Sequence, residues 1–342
     1  MPTVNGTSGS DGLQGTSGPD DIHGFGGDDF LEGFEGDDLL DGGDGEDWMA
    51  GGPGNDRYLI DVTSDAPIEG EGEGDDSLHT SVSYWLAEGV SLETMTTMNA
   101  SGTTPLDLTG NAFGQSIYGN AGSNIINGRG GIDYLVGLGG NDRYFVDDPL
   151  DGVAEAAGEG DDWLSTSVNY ALAAGVSIEL INTTNALAVT PIELRGNDFG
   201  QSMYGNAGDN MLIGLGGADY LVGLGGDDIL IDGEGADYLA GGDGADLFVF
   251  SERDFGNVIV DFQTGIDMIE LGLLLPVDFF EWLGTGEFTG NFLGEARYVD
   301  GVLYVDTNRD LVADLTVIIN APVGPGDFST NGLPGGAGAW DY

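Results

Sequence analysis

The sequence lacks cysteine and lysine, and these absences exclude several kinds of function. Without cysteine among its 342 residues, the chain can form neither disulfide bonds nor thiolate metal sites. All seven basic residues are arginine, so a phosphate-binding P-loop lysine and a Schiff-base lysine are excluded. Against 7 Lys+Arg stand 60 Asp+Glu, giving a formal net charge of -53. Such a surface repels nucleic acid and anionic lipid, so we expect neither as a partner.

Long apolar runs and recognisable catalytic motifs are also missing. No run approaches the roughly 18 apolar residues of a membrane-spanning helix, so no membrane span is expected. The first residues have neither a basic nor an apolar signal region, so we expect no Sec signal peptide. His23 and His79 stand in unrelated contexts, and neither H-E-x-x-H nor G-x-S-x-G occurs. We therefore predict no catalytic residue and no enzyme activity.

Glycine is abundant, with 64 residues, and much of it follows a nine-residue repeat. The clearest copies run from Gly24 to Ile60 with the form G-x-x-G-x-D-x-U-x, where U is apolar. Glycine permits the positive φ of a tight turn, aspartate offers a hard anionic oxygen, and x-U-x is a short strand with one inward side chain. Calcium prefers about six to eight oxygen ligands of this kind. Two repeats predict one coil of about 18 residues, with calcium between equivalent turns of successive coils.

The repeat occurs in three blocks, which begin at Gly6, Gly119 and Gly205 and contain six, three and five copies. The aspartates predicted to bind calcium are Asp11, Asp20, Asp29, Asp38, Asp47, Asp56, Asp133, Asp142, Asp219, Asp228, Asp237 and Asp246. The glycines predicted to contribute to these sites are Gly24, Gly27, Gly33, Gly36, Gly42, Gly45, Gly128, Gly130, Gly137, Gly139, Gly214, Gly216, Gly223 and Gly225. Asn124 and Asn210 replace the aspartate and are expected to be weaker, neutral ligands. If each ion bridges repeats i and i+2, the blocks hold roughly eight calcium ions.

The stretches between the blocks are two copies of one unit. SVSYWLAEGVSLE from Ser81 returns 86 residues later as SVNYALAAGVSIE from Ser167. We interpret these stretches as wider solenoid coils without calcium. The sequence GEGDD, which ends at Asp76 and again at Asp162, is either an accessory calcium turn or an acidic surface loop.

These patterns predict an all-β protein. Its fold class is a right-handed parallel β-roll, or β-solenoid, with calcium-binding nonapeptide repeats and a small C-terminal β cap. The expected domains are a first repeat block at 6–60, a spacer at 61–118, a second block at 119–146, a spacer at 147–204, a third block at 205–250 and a C-terminal domain at 251–342.

The C-terminal domain is predicted to contain two buried strands between Leu247 and Leu271, then a hairpin series with a turn at Asp300-Gly301. The segment Asp306–Asp314 has the acidic spacing of an EF-hand loop but lacks its sixth-position glycine and its final glutamate. It is either a polar hairpin turn or a calcium site. The Gly/Pro-rich tail from Gly324 is expected to be loose.

The nonapeptides resemble those of RTX, or hemolysin-type calcium-binding, proteins. The C-terminal part resembles the C-terminal domain of serralysin-type RTX proteins, through the segments 244–250, 259–271, 302–319 and 326–328. This resemblance implies export by the type I secretion machinery through an uncleaved C-terminal signal, an extracellular location and folding on calcium.

Three functions stay open. The first, which we favour, is a secreted calcium-binding protein with a structural or surface role and no catalysis. The second is an enzyme or toxin with an unrecognised active site; because repeats start at Gly6, no separate N-terminal catalytic domain is expected. The third is an adhesive module for surface polysaccharide, whose signature would be a row of exposed aromatic side chains. The tryptophans Trp48, Trp85, Trp163, Trp282 and Trp340 are instead expected to pack in the core or at its edge.

Overall fold

The computed structural model describes residues 1–271, 274 and 280–329 and consists almost entirely of short β-strands. The chain divides into two compact units, Met1–Ser165 and Thr166–Tyr342. Of the tail predicted to be loose from Gly324, residues 330–342, with Trp340, lie outside the described residues, whereas Pro325–Asp327 form a 3-10 helix, so that expectation is wrong for its first residues. The strands of the first unit are β1 (Thr3–Asn5), β2 (Gly12–Gln14), β3 (Asp21–His23), β4 (Phe30–Glu32), β5 (Leu39–Asp41), β6 (Trp48–Ala50), β7 (Arg57–Ile60), β8 (Ala66–Ile68), β9 (Ser77–Thr80), β10 (Tyr84–Trp85), β11 (Thr94–Thr97), β12 (Asp107–Thr109), β13 (Ser116–Tyr118), β14 (Ile125–Asn127), β15 (Tyr134–Val136), β16 (Arg143–Val146), β17 (Gly152–Ala154) and β18 (Trp163–Thr166), whose last residue begins the second unit.

Strands of the first unit stack in parallel, with alternate strands of the chain in the same sheet. One sheet has the order β1-β3-β5-β7-β9-β11-β13-β15-β17, and another has the order β2-β4-β6-β8. Val4 pairs with Ile22, and Ile22 with Leu40, so each of these coils of the first repeat block contains 18 residues. Each nonapeptide strand from β1 to β6 is the predicted x-U-x triplet. The nonapeptides therefore form the predicted parallel β-solenoid.

The spacer of the first unit continues these sheets. Strand β9 pairs in parallel with β7 and with β11, and β11 pairs with β13. The register advances from Leu78 to Met95 and then to Ile117, so these coils differ in length from the 18-residue coils. Strand β13 also shows that GNAFGQSIY from Gly110 is a coil of the repeat type, with Gln115 at the aspartate position.

The core is a column of inward side chains, one from each triplet. Ile22, Leu31, Leu40 and Met49 are fully buried. Burial of each such side chain contributes about 2 kcal/mol. Inward residues of successive coils pair in register, as Ile22 does with Leu40, so the stability of the column depends on coils stacking on one another.

The second unit contains the same kind of strand and ends in a different arrangement. Its strands are β19 (Tyr170–Ala171), β20 (Leu180–Thr183), β21 (Glu193–Arg195), β22 (Ser202–Tyr204), β23 (Met211–Gly216), β24 (Tyr220–Gly225), β25 (Ile229–Glu234), β26 (Tyr238–Asp243), β27 (Leu247–Val249), β28 (Phe255–Ile259), β29 (Met268–Glu270), β30 (Phe280–Trp282), β31 (Gly294–Val299), β32 (Val302–Asp306) and β33 (Leu315–Ile319), followed by a 3-10 helix at Pro325–Asp327. Strands β22, β24 and β26 pair in parallel, as do β23, β25 and β27.

The C-terminal cap follows the second unit's last coils. Strand β31 is antiparallel to β32, and β32 is antiparallel to β33, with the turn at Asp300 and Gly301 in the left-handed region at φ 52 and φ 87. This confirms the predicted hairpin series. The prediction of two strands between 247 and 271 is wrong, because β27, β28 and β29 all form there and continue the parallel stacking.

Tryptophan side chains lie mostly on the surface. Trp48, Trp85 and Trp163 are 58%, 74% and 47% exposed. The expectation of core packing is wrong for these three, because they occupy outward positions of their strands. Trp282 packs its ring 5.3 Å from the Phe328 ring.

Candidate metal sites

The repeat aspartates form columns held by backbone hydrogen bonds. The backbone N–H of Asp29 donates to Oδ1 of Asp47 at 2.8 Å, and the N–H of Asp38 donates to Oδ1 of Asp56 at 2.8 Å. Equivalent bonds hold Asp133, Asp219 and other members of the columns. One carboxylate oxygen is thus fixed by the neighbouring coil, and the other is left for a ligand.

The second oxygen, Oδ2, is buried without a hydrogen-bond partner in nine of the predicted aspartates. They are Asp29, Asp38, Asp47, Asp56, Asp133, Asp142, Asp219, Asp228 and Asp237. A buried anionic oxygen without a partner is costly. Its repetition in register shows that these turns are built for a cation.

The leading glycine of each repeat leaves space beside that oxygen. A Cβ added to Gly24 would overlap Oδ2 of Asp29 and the carbonyl oxygen of Gly42 in the next coil. The same overlap with the aspartate five residues later occurs at Gly33, Gly42, Gly128, Gly137, Gly214 and Gly223. Carboxylate and carbonyl oxygens therefore converge on a backbone cradle, the donor set that calcium prefers.

The second glycine of the repeat supplies the turn conformation. Gly27, Gly36 and Gly45 have φ of 98, 132 and 148. In the second and third blocks Gly131, Gly140, Gly217 and Gly226 also have positive φ, each one position after the predicted Gly130, Gly139, Gly216 and Gly225. The glycine doublets in these copies hid which of the two makes the turn.

Burial raises the pKa of the column carboxyl groups. The pKa of Asp56, Asp133 and Asp219 rises to about 7, and that of Asp47 and Asp237 to about 6. The negative charge of an aspartate in a neighbouring coil adds to the rise, as Asp29 does for Asp47. Each group therefore holds a proton more readily than in the unfolded chain, and a bound divalent cation would keep it ionised.

Two turns contain an amide in place of the aspartate. Nδ2 of Asn124 donates to the carbonyl oxygen of Asn120 at 2.9 Å, to that of Gly122, and to Oδ1 of Asp142 at 3.1 Å. Asn210 makes the equivalent contacts in the second unit. The amide orientation follows from this network of acceptors. In this orientation the amide donates to the oxygens of the turn, while Oδ1 of Asn210 is buried without a hydrogen-bond partner; the weak-ligand role of both residues stays a prediction.

Replacing both amides by carboxylates should convert these turns to calcium sites. We expect Asn124→Asp with Asn210→Asp to destabilise the chain in chelator by about 1–3 kcal/mol per turn, since an acceptor then faces acceptors. With saturating calcium the variant should bind two more ions than the parent, counted by native mass spectrometry. The control is Asn99→Asp with Asn185→Asp, which makes the same change at two exposed asparagines that correspond to each other in the two sequence copies. An unchanged ion count in the first variant would contradict the amide assignment.

The first two repeats satisfy their aspartates differently. Oδ2 of Asp11 accepts from the N–H and hydroxyl of Thr7, and Oδ2 of Asp20 accepts from the same groups of Thr16. A threonine at the second repeat position is the sequence signal for this arrangement. Oδ2 of both predicted ligands therefore has protein donors, whereas Oδ1 of Asp20 is buried without a hydrogen-bond partner.

Four aspartates continue the columns into the spacers; sequence reasoning missed Asp65 and Asp151, whereas Asp76 and Asp162 end the GEGDD segments for which an accessory calcium turn was one of the two interpretations. Oδ1 of Asp65 accepts from the N–H of Asp47 at 3.3 Å, and Oδ1 of Asp76 accepts from that of Asp56 at 2.7 Å. Asp151 and Asp162 accept equivalent bonds. The sequence signal of Asp65 and Asp151 is only an aspartate 18 residues beyond a repeat aspartate, without the glycines.

The EF-hand-like segment folds as a self-contained polar turn. Asp306 accepts from the backbone N–H groups of Asn308, Arg309 and Leu311. Oδ2 of Asp314 accepts from the N–H and hydroxyl of Thr307. These carboxylates are used by the chain itself, which favours the hairpin-turn interpretation.

Comparison with known families agrees with this geometry. The model of the RTX calcium-binding nonapeptide repeat matches residues 5–33, 24–58, 109–147, 195–230 and 222–250. No curated protein matches the chain. Within the described residues, no helix has both the length and the apolar character needed to cross a membrane. The chain thus carries RTX calcium-binding repeats in three segments, each of which contains the columns described above.

Proposed function

We propose that this chain is a secreted RTX protein that folds on extracellular calcium after type I secretion, with a structural or surface role and no catalysis. The observation that carries the proposal is the register of buried, unpartnered Oδ2 atoms beside glycine cradles. Roughly eight ions would fill the predicted sites.

Charge provides the mechanism. With a net charge of -53, the chain without a cation must bring like charges together in every column. In a low-calcium cytosol this repulsion keeps the chain unfolded and suitable for export. Outside the cell, calcium at about 10⁻⁴–10⁻³ M would neutralise the columns, and its binding free energy would become folding free energy.

Calcium titration followed by far-UV circular dichroism tests this proposal. Starting from chelated protein, we expect a cooperative transition from coil to β structure at sub-millimolar to millimolar calcium. Magnesium should not replace calcium, because it demands smaller octahedral geometry and gives up water reluctantly. A chain already folded in chelator would overturn the coupling of folding to calcium.

The export step requires its own test. The C-terminal cap supports it: β31 to β33 form the expected hairpins, and Ile269 makes a parallel bridge with Phe328 near its end. We expect deletion of residues 251–342 to retain the chain inside cells that express type I secretion machinery, while the whole chain reaches the medium. Equal export of both would contradict a C-terminal signal.

One observation favours a surface polysaccharide as a second partner. In the second unit the Tyr204, Tyr220 and Tyr238 rings form a row with centroids 6.2 Å apart, and Tyr220 and Tyr238 are 39% and 48% exposed. Such a row is the signature expected of an adhesive module. Affinity electrophoresis with neutral polysaccharides should show retardation that Tyr220→Ala with Tyr238→Ala abolishes. Phe255→Ala removes an exposed ring outside the row and is the control.

A further inference from the structure

Each of the two spacers, 61–118 and 147–204, brings a glutamate into a repeat-type turn. Glu69 lies 18 residues after the leading glycine Gly51, and Glu155 lies 18 residues after Gly137. At both glycines a Cβ would overlap the aspartate carboxylate of the turn. A side chain at the leading position therefore points toward the column of carboxylates.

The glutamate completes a cluster of three carboxylates. Ligand oxygens of Asp56, Glu69 and Asp76 all lie within 4.8 Å of one another, and the three residues are buried at 1%, 4% and 1% exposure. Oδ2 of Asp56 and Oδ2 of Asp76 are buried without a hydrogen-bond partner. Three carboxylates this close, two of them with unsatisfied oxygens, require a compensating positive charge.

The second copy reproduces the cluster with Asp142, Glu155 and Asp162, which again lie within 4.8 Å. Oδ2 of Asp142 and Oε1 of Glu155 are buried without a hydrogen-bond partner. The two copies differ in sequence around the glutamate, EGEGEGDD against EAAGEGDD, yet they keep the three acids.

A tyrosine holds each glutamate in place. Tyr58 donates its hydroxyl hydrogen to Oε2 of Glu69 and accepts from the N–H of Gly51 at 2.8 Å. Tyr144 donates likewise to Oε2 of Glu155. One glutamate oxygen is fixed by the phenol, so the carboxylate is positioned before any ion binds.

Another acidic cluster in the described residues shows a contrasting arrangement. Asp232 and Asp254, which lie with Asp237 within 4.8 Å, each accept hydrogen bonds at both carboxylate oxygens. The donors include Ser251 and Asn257. Protein donors satisfy most of that cluster, whereas in the spacer clusters oxygens remain unsatisfied.

We propose that one Ca²⁺ ion binds between Asp56, Glu69 and Asp76, and a second between Asp142, Glu155 and Asp162, where each repeat block meets the spacer that follows it. These sites differ from the nonapeptide pattern, which has glycine at the glutamate position. The repeat model ends at residues 58 and 147, before Glu69 and Glu155. A third carboxylate raises the negative charge of the site, so these two ions bind more tightly than those held by two aspartates. This proposal departs from the interpretation of the spacer coils as free of calcium and develops the accessory calcium turn that the GEGDD segments also allowed.

Glu69→Gln with Glu155→Gln tests the proposal on the whole chain. The change keeps side-chain size and removes one charge per cluster. By native mass spectrometry and calorimetric calcium titration, we expect the variant to bind two fewer ions and to lose the tightest binding phase. Asp75→Asn with Asp161→Asn removes two neighbouring exposed charges and should keep the parent ion count. An unchanged ion count and tight phase in the glutamine variant would overturn the proposal.

Anomalous X-ray scattering from calcium-grown crystals of the parent protein gives an answer even if the variant does not fold. A calcium peak between Asp56, Glu69 and Asp76 supports the site, and a map with peaks only at the nonapeptide turns overturns it. This outcome is separable from the proposed function. If folding depends on calcium but the glutamine variant keeps the ion count of the parent, only the two additional sites are excluded. If the parent binds two ions tightly but is already folded in chelator, only the proposed function is excluded.

Discussion

Gly45→Ala is expected to prevent folding at calcium concentrations that fold the parent, whereas Gly18→Ala is expected to leave the transition almost unchanged. Both glycines occupy the fourth position of their repeats. Gly45 has φ 148, and an added Cβ would overlap the carbonyl oxygen of Gly27 in the preceding coil. A Cβ at Gly18 would meet nothing within 4 Å.

The difference follows from coil stacking. A methyl group at Gly45 presses against backbone, which cannot rotate away as a side chain can, and it disfavours the required φ as well. We expect a loss of roughly 4 kcal/mol or more, near the upper end of single substitutions. Calcium titrations of both variants by circular dichroism measure the effect. Similar midpoints for Gly45→Ala and Gly18→Ala would show that the coils do not pack as closely as the structure has them.

The repeat made much of this fold predictable from sequence. Apolar residues such as Leu40 and aspartates such as Asp47 recur at a fixed spacing. The inward position of these side chains and the length of the coil therefore follow from the turn geometry of glycine and from the alternation of side chains along a strand. The hairpin at Asp300-Gly301 follows from a two-residue turn between alternating strands. Interactions between residues that are close in the sequence and recur at a regular spacing can be predicted well from a single sequence.

The orientation and grouping of the site side chains depend on contacts between coils, which cannot be predicted from the spacing of residues in the sequence. Asn124 occupies the aspartate position, but only the surrounding acceptors decide that its nitrogen faces inward. Glu69 joins Asp56 and Asp76 because an irregular coil of 20 residues brings them together. The exposed Trp85 lies in a spacer strand of two residues, too short for its inward and outward faces to be assigned from sequence.

Acid is expected to replace calcium in part. In chelator, the β content of the chain should rise as the pH falls from about 8 to about 5.5. Burial raises the pKa of Asp133, Asp219 and Asp228 to about 7 in the folded state, against 3.8 for an ordinary aspartate. Between these values the folded state binds more protons than the unfolded state. The corresponding stability is therefore present at low pH and is lost as the pH rises through about 6 to 7.

The pH range in which β structure forms distinguishes protonation of the column aspartates from a general loss of negative charge by all carboxylates of the chain. Aspartates of the unfolded chain titrate near 3.9, so a gain of β structure confined to pH values below about 4.5 would contradict the role of the columns. Asp133→Asn with Asp219→Asn mimics permanent protonation at two column positions. In chelator at pH 8 this variant should be more folded than the parent, and in calcium it should bind fewer ions. Asp75→Asn with Asp161→Asn removes as much charge outside the columns and should change neither property. Cations and protons compete for the buried carboxylates, so the charge of those groups, and not the net charge of the chain, controls folding.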